Sequence, residues 1–372
     1  MASGGGSNTL QGASIVRFIA AMMIVAFHVA LMPKLPMPSE LWFISSYGGF
    51  GVPLFYMLSA FALCYGYFGR LETADQMRRF YARRFWRIAP LFYAMMVYYF
   101  AFLWIVTGRP VSLTAVAASA TFTFNLMPQH VTGFVFASWS IGVEMLFYAV
   151  FPILVFLITN IWRAAAAFAL AVLINAVWHD AFVGATGALQ QFGSHSIVAH
   201  LHYFAAGILA YFVWRELRWT PALYRTLASA AALALLILIF ASPEIQRLVG
   251  KPLLTAVWAV AFVVLILGLS FERAAPALGP AVRLGEASFS LYLLHPAIIS
   301  MMMKGGLYDA IYGVAPNDFA AYISCLAATL SCLFLLSIFT YRHIERRFYA
   351  GTKAAQGPHS SSDLVGVGEA QG

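Results

Sequence analysis

The sequence has 372 residues, of which 62% are hydrophobic and only 10% are charged, and its formal net charge is +8. Soluble domains carry about 25% charged residues, so the composition excludes an ordinary soluble enzyme and indicates a protein that crosses a membrane several times. Nucleic acid is not an expected partner, because binding it needs a basic patch on a soluble face. Here the basic residues lie between apolar blocks, and membrane lipids are the expected surroundings.

Ten apolar blocks are long enough to cross a bilayer, which takes about 20 mostly apolar residues per helix. We therefore predict an all-α polytopic membrane domain over 13–348, between a disordered N-terminus at 1–12 and a disordered tail at 349–372. A further stretch, 111–127, is richer in Ser and Thr, and we expect it to be re-entrant or interfacial. The predicted spans are 13–32, 47–68, 88–107, 137–160, 164–180, 196–214, 224–241, 253–271, 284–303 and 319–340.

The basic residues predict the orientation of these spans. Cytoplasmic loops carry an excess of Lys and Arg. With the N-terminus inside and ten crossings, 17 of the 22 Lys and Arg residues fall on the cytoplasmic side, Arg273 and Lys353 among them. We therefore expect both termini in the cytoplasm. The basic residues left outside are Lys34, Arg109, Arg247, Lys251 and Lys304.

The first predicted span begins at an arginine and ends near a histidine, in "RFIAAMMIVAFH". Eleven helical residues separate Arg17 from His28 by about 16 Å and three turns plus roughly 20°, so both side chains share one face. We read them as a polar track from the cytoplasmic surface toward mid-membrane. The alternatives are an Arg17 that reaches to lipid headgroups and a His28 that hydrogen-bonds across helices.

Three more polar side chains are expected near the depth of His28. They are Ser59 in "PLFYMLSAF", Glu144 in "SWSIGVEMLFY" and His295 in "SFSLYLLHP". A buried carboxylate has to be paired or protonated, and imidazole is a natural partner. We therefore expect Glu144 to pair with His28 in one polar site; separate polar ties between helices are the alternative.

An arginine cluster, "RRFYARRFWRIAP" at 78–90, enters the third span. Arg83 and Arg87 are four residues apart and share a helix face. Guanidinium groups match phosphates in bidentate geometry, so Arg83, Arg84 and Arg87 suit a ligand with several phosphates. Anchoring to anionic lipid is the alternative.

Metal binding is not expected. The three cysteines, Cys64, Cys325 and Cys332, lie in apolar blocks and match no metal-binding or disulfide spacing. We read them as small reduced core residues.

These motifs together resemble the membrane-bound acyltransferase-3 family, whose members O-acylate glycans and other hydroxylated acceptors. The similarity runs from residue 13 to about 348, and Ala60 and Tyr56 depart from it, where the family usually has Gly and Phe. The similar stretches are "VRFIAAMMIVAFHVA", "GVPLFYMLSAF", "FYARRFWRIAP", "SWSIGVEMLFY", "LGEASFSLYLLHP" and "RHIERRF".

The resemblance implies an enzyme of a bacterial inner membrane that uses acyl-CoA, acetyl-CoA being our expectation, and a saccharide acceptor. The nucleotide phosphates would bind Arg17, Arg83, Arg84 and Arg87. His28 would act as general base, or less readily as a transient acyl carrier, with Glu144 orienting it or balancing its charge. The residues expected to position the acceptor or the thioester are Ser59, Ser138, Tyr292 and His295.

A proton-coupled transporter of a small solute or saccharide is the main alternative, because His and Glu inside a membrane also relay protons. Transporters often contain paired helices broken by Gly or Pro in matching halves, and this sequence shows no such pairs. The acceptor remains open among lipopolysaccharide, exopolysaccharide and a lipid-linked saccharide.

Overall fold

A computed structural model describes residues 11–108, 110–270 and 276–348, and these ranges form helices joined by turns, without a β-strand. The predicted disordered ends lie outside the described residues, except that a helix has already begun at Gln11. Arg109, Arg273 and Lys353 lie outside them too. The α-helices are α1 (Gln11–Leu31), α2 (Trp42–Tyr47), α3 (Gly51–Tyr67), α4 (Ala74–Thr107), α5 (Leu113–Ala120), α6 (Trp139–Leu157), α7 (Ile161–Ala181), α8 (Gly187–His195), α9 (Leu201–Glu216), α10 (Pro221–Leu269), α11 (Gly279–Glu286), α12 (Ser288–Lys304), α13 (Leu307–Val314) and α14 (Asp318–Thr340).

The 49 residues of α10 form two helical arms that follow each other directly and fold into a hairpin. Gly250 interrupts it with φ 80° and ψ 166°, a conformation open mainly to glycine. Trp258 Nε1 donates to Ser242 Oγ at 3.0 Å, whereas 16 residues along a straight helix would span about 24 Å. The two arms of α10 therefore lie antiparallel, as the separate predictions at 224–241 and 253–271 require.

The described helices confirm an all-α polytopic membrane protein. Eight helical segments in these ranges are long and apolar enough to cross a bilayer, with α10 counted once. The second arm of α10 adds a crossing, and the 17 residues of α12 reach the lower limit for a span. The crossings then number ten within the described residues, as predicted. The orientation of the termini stays a prediction.

The stretch 111–127 contains no helix that could cross the membrane. Its α5 has eight residues, or about 12 Å of helix, and a turn at Phe124–Leu126 follows. The Asn125 side chain fixes this turn, because its amide nitrogen donates to the His195 carbonyl at 2.8 Å and its oxygen accepts from Ile197 N at 3.0 Å.

Helix α4 begins much earlier than the predicted third span. Thr73 caps it, since its hydroxyl accepts from Gln76 N while the Gln76 side chain accepts from Thr73 N. With 34 residues the helix is about 51 Å long, well beyond the roughly 30 Å of a hydrocarbon core. The arginine cluster therefore lies on regular helix, because the capping box starts α4 before the apolar block does.

Helices α3 and α9 approach closely at the position where Ala60 departs from the family pattern. Ala60 is fully buried. The space for its methyl group comes from the opposite helix, where a Cβ built on Gly207 would lie 2.2 Å from the Met57 carbonyl oxygen and 2.9 Å from Ala60 Cβ. Gly207 thus supplies the small residue at this contact.

We expect Gly207→Ala to force α9 away from α3 and to lower the free energy of unfolding by about 1–3 kcal/mol, the usual cost of overpacking. Thermal unfolding of the purified protein, followed by intrinsic fluorescence, measures this. Gly66→Ala in α3 is the control, because a Cβ there meets nothing within 4 Å and alanine favours a helix. Equal stability of the two variants would contradict the close contact.

Candidate active site

A cleft between five helices, α1, α3, α4, α6 and α12, collects six of the predicted site residues; we call it the arginine cleft. It spans about 740 Å³, counting its open mouth. Polar groups line an otherwise apolar space, as in many ligand sites. The predicted residues on its wall are Arg17, Ser59, Arg84, Arg87, Glu144 and Tyr292.

Ser59 and Glu144 meet in the cleft, as predicted for two of the polar residues. Ser59 Oγ donates to Glu144 Oε1 at 2.8 Å, although the two residues are 85 positions apart. The Tyr148 hydroxyl donates to the same carboxylate oxygen and lies 3.2 Å from Ser59 Oγ. Two hydroxyl groups therefore stabilise a carboxylate that would be costly to bury alone.

Three guanidinium groups line the cleft together with this carboxylate. Arg84 lies over the rings of Tyr67 and Tyr148, with its Cζ 5.4 Å and 5.6 Å from their centroids. Arg17 interacts electrostatically with Arg84, Arg87 and Glu144. Because like charges at close range repel, the cleft has an excess of positive charge that an anionic ligand would neutralise.

Arg83 does not line the cleft, contrary to our expectation that it would act with Arg87. The apolar stripe of α4 explains this: Phe80 and Ile88 are buried at 0% and 2% exposure, and Arg84 lies between them at helical spacing. Arg83 points about 100° away from that stripe. Its guanidinium hydrogen-bonds the Tyr67 side chain, as that of Arg84 also does.

A smaller pocket adjoins the arginine cleft and shares Arg17 and Arg87 with it. Glu345 lines this pocket from a π-helical turn, Tyr341–Glu345, and is 6% exposed. It accepts a hydrogen bond from Ser290 Oγ, which in turn accepts from Thr340 Oγ1 at 2.8 Å. Glu345 lies in the quoted "RHIERRF" motif, but no feature of that motif assigned it to this site.

His28 and His295 form a second group beyond the cleft. His295 Nε2 lies 3.2 Å from His28 Nδ1, and His28 Nδ1 is 2.9 Å from the Ile24 carbonyl oxygen. A carbonyl only accepts hydrogen bonds, so His28 carries its proton on Nδ1. His295 likewise donates from Nδ1 to the Tyr292 carbonyl. The lone pair of His28 is therefore on Nε2, which bonds none of the described residues.

The predicted pairing of Glu144 with His28 is wrong. The hydrogen bonds of Glu144 go to Ser59 and Tyr148, and that of His28 goes to His295. Tyr292 lies between the two groups. Its hydroxyl donates to the Ala137 carbonyl at 2.8 Å and is 2.6 Å from Ser140 Oγ.

Helix geometry accounts for this separation. Ser140 and Tyr292 lie at the same level, because their hydroxyl groups are in hydrogen-bond contact. Glu144 lies about one turn from Ser140 along α6, toward one end of the bundle. His295 lies about one turn from Tyr292 along α12, toward the other end. The two groups are thus about 10 Å apart along the helix axes. The apolar blocks predicted the approximate membrane depth of each residue. Their ends are uncertain by about one turn, so the difference in depth between Glu144 and His295 could not be predicted.

Ser138 does not line the cleft either. Its hydroxyl donates to the Thr132 carbonyl at 3.2 Å and stabilises the loop before α6. Ser140, two residues later, faces the cleft instead. Tyr148 was also missed, although its position one helical turn after Glu144 was a usable signal.

Among the described residues, no group of three or more His, Cys, Asp or Glu side chains has the arrangement of a metal site.

Comparison with known proteins identifies the class of this molecule. A family described as an acyltransferase domain, acyltransferase-3, matches residues 11–338. The chain is 28% identical to the exopolysaccharide production protein ExoZ of Rhizobium meliloti (strain 1021) over 235 residues, which cover 63% of this chain and 67% of that protein. No solved structure gave a significant match.

The molecule is a membrane acyltransferase. It belongs to the acyltransferase-3 family, which the sequence motifs had indicated.

Loss of the Tyr148 hydroxyl tests the carboxylate group in the cleft. We expect Tyr148→Phe to lower the free energy of unfolding by about 1–3 kcal/mol, because a hydrogen bond to a half-buried carboxylate is lost while the ring under Arg84 is kept. Chemical denaturation in detergent measures the change. Tyr81→Phe is the comparison, since Tyr81 is 41% exposed and its hydroxyl bonds a backbone carbonyl; an equal loss there would contradict a special role for Tyr148.

Proposed function

We propose that this protein transfers an acyl group, with acetyl as the expected group, from cytosolic acyl-CoA to a hydroxyl of a cell-surface or exported saccharide. One observation carries the proposal: the cationic arginine cleft ends at Tyr292, and an oriented histidine pair lies one helical turn beyond it. The membership of an acyltransferase family and the similarity to an exopolysaccharide production protein support it.

The donor would enter from the side of the membrane where α4 begins. Its phosphates would bind Arg84, Arg87 and Arg17, whose guanidinium groups converge in the cleft. Arg17 and His28 are about 16 Å apart along α1, a distance that the long pantetheine arm of CoA would cover. This entry side is the cytoplasm if the orientation follows the basic residues.

The thioester has to pass Tyr292 to reach His28. The side chain of Tyr292 is buried at 6% exposure and bonds Ser140 and Ala137. Binding of the donor arm would displace this ring or run beside it past Phe55, which also lines the cleft. Ser140 would then be available to bond the thioester carbonyl.

His28 would act as the general base. Its Nε2 lone pair would take the proton of the acceptor hydroxyl as the oxygen attacks the thioester carbon, and the tetrahedral intermediate would expel the CoA thiolate, which receives that proton. A positioned general base contributes about 10²- to 10⁴-fold to the rate.

His295 would orient His28 and stabilise its charged form. While His28 holds the additional proton on Nε2, its Nδ1–H remains bonded to the Ile24 carbonyl and to the lone pair of His295 Nε2. This arrangement resembles the role of the third residue in a catalytic triad, which fixes the tautomer of the base. Here a neutral imidazole occupies that place.

Replacing the cleft arginines is expected to weaken donor binding. Arg84→Ala and Arg87→Ala should each raise the Kd for acyl-CoA at least tenfold at low salt and reduce its salt dependence, because each removes a charge that bonds phosphate. Titration of the purified protein measures both quantities. Arg79→Ala is the matched control, an exposed arginine on the same helix. Equal affinities for acyl-CoA in the three variants would contradict phosphate binding by the cluster and favour anchoring to anionic lipid.

Loss of His28 is expected to stop acyl transfer without loss of donor binding. A strain lacking the gene should lose an acyl ester from a surface glycan, detectable by mass spectrometry. Wild-type protein should restore the ester, and His28→Ala, at equal membrane abundance and equal affinity for acyl-CoA, should not. His343→Ala is the control, because His343 is exposed and lies outside both groups. Restoration of the ester by His28→Ala would refute the assignment.

A further inference from the structure

A second large cleft lies at the other end of the bundle; we call it the tryptophan cleft. Phe27, near the end of α1, is on its wall, whereas the arginine cleft contains Arg17 near the start of α1. The tryptophan cleft spans about 1360 Å³ with its open mouth, against about 740 Å³ for the arginine cleft measured in the same way. It therefore has room for a larger ligand than the arginine cleft.

The wall of this cleft contains buried nitrogen atoms that lack protein partners. His202 is 1% exposed, lines the cleft, and neither of its ring nitrogens has a hydrogen-bond partner among the described residues. Nδ1 of His200 also has no hydrogen-bond partner among the described residues. Buried polar groups are nearly always hydrogen-bonded, so imidazole groups left in this way indicate a site where a polar ligand binds.

The surfaces around these imidazoles are flat and aromatic. Trp139 lies against His200 with ring centroids 5.2 Å apart, and Trp178 forms another part of the wall beside Asn175. An indole face gives apolar contact area at low entropic cost, while imidazole and amide groups donate and accept hydrogen bonds. Sugar rings have both complementary surfaces, apolar C–H faces and hydroxyl edges.

The charge of the tryptophan cleft excludes a second nucleotide-phosphate site. Lys251 is the one Lys or Arg on its described wall, and no Asp or Glu is present there. Three guanidinium groups, by contrast, line the arginine cleft. A neutral or weakly anionic ligand fits this distribution better than a polyphosphate does.

The two clefts share a thin wall near the histidine pair. Trp139 lines one cleft and the next residue, Ser140, lines the other. Tyr56 in the arginine cleft contacts His200 in the tryptophan cleft, with ring centroids 5.4 Å apart. Phe27 lies edge-on to His28 at 5.2 Å. A ligand in the tryptophan cleft would therefore lie close to the base.

We infer that the tryptophan cleft binds the saccharide acceptor, with Trp139 and Trp178 stacking on sugar rings and His202 and Asn175 bonding hydroxyl groups. The inference rests on the proposed function for the role of that saccharide as acceptor. The binding itself is independent of acyl transfer and is measured without donor.

The test uses the full-length protein in lipid nanodiscs. The probe is a set of oligosaccharides released from the surface polysaccharide of the deletion strain and freed of esters with alkali. Binding is followed by quenching of tryptophan fluorescence and, for variants that lack a tryptophan, by saturation-transfer NMR. The wild type should bind the probe in the absence of donor.

Three changes in the cleft should each weaken binding at least tenfold while the affinity for acyl-CoA stays unchanged. They are His202→Ala, Trp178→Ala and Ala199→Trp, of which the last fills the cleft without removing a polar side chain. Unchanged affinity for acyl-CoA shows that each variant is folded. Trp162→Ala is the control, since Trp162 is 81% exposed near the other end of the same helix α7, and its binding should equal that of the wild type.

Oligosaccharide binding that persists at wild-type strength in all three cleft variants would overturn the inference, and so would absence of binding to the wild type. Loss of binding in the cleft variants, combined with a wild-type protein that forms no acyl ester in cells, would support the cleft and refute the proposed function. The two proposals therefore fail on different measurements.

Discussion

The structure depends on the cost of placing charged groups inside an apolar bundle. Arg17, Arg84, Arg87 and Glu144 come from three helices and meet between apolar surfaces, where an isolated charge would be strongly unfavourable. Ser59, Tyr148 and the aromatic ring of Tyr67 compensate part of that cost. Removing any one partner leaves a buried charge poorly satisfied, so the helices that supply these groups are held in register by electrostatics as well as by packing.

The polar groups form two layers that differ in charge. The layer with Glu144 is rich in positive charge and suits the recognition of an anion. The layer with His28 contains neutral imidazoles whose protons are fixed by backbone carbonyls. The base proposed above, His28, would work best if it is uncharged before the reaction, and its distance from the guanidinium groups weakens their effect on it.

The sequence predicted the architecture and six of the residues that line the arginine cleft, but not how the polar residues group. Apolar blocks located every crossing, and even the two arms of the α10 hairpin were separated correctly, because a glycine and two prolines with charged neighbours interrupt the hydropathy there. Contacts between helices far apart in sequence were beyond such reasoning. The depth of each residue in the membrane was predicted only to within about one helical turn. This uncertainty is large enough that Glu144 was wrongly expected at the depth of His28.

Errors within single helices have a simpler cause. Arg83 and Arg84 are adjacent, so a slight change in how α4 is rotated decides which of them faces inward. The buried stripe through Phe80 and Ile88 contained that information, and it favoured Arg84. Ser138 and Ser140 differ likewise, because the helix starts between them and the first serine belongs to the preceding loop.

The turn at Gly250 has one more consequence. Lys251 and Pro252, directly after it, contribute to the wall of the tryptophan cleft, and the two arms of α10 are joined with almost no intervening loop. Residues inserted at this point would project as a rim above the cleft while the helices below stay in place, since surface turns accept insertions far more readily than packed segments do. A change of length in one short connection would thus reshape the mouth of the cleft and leave its interior intact.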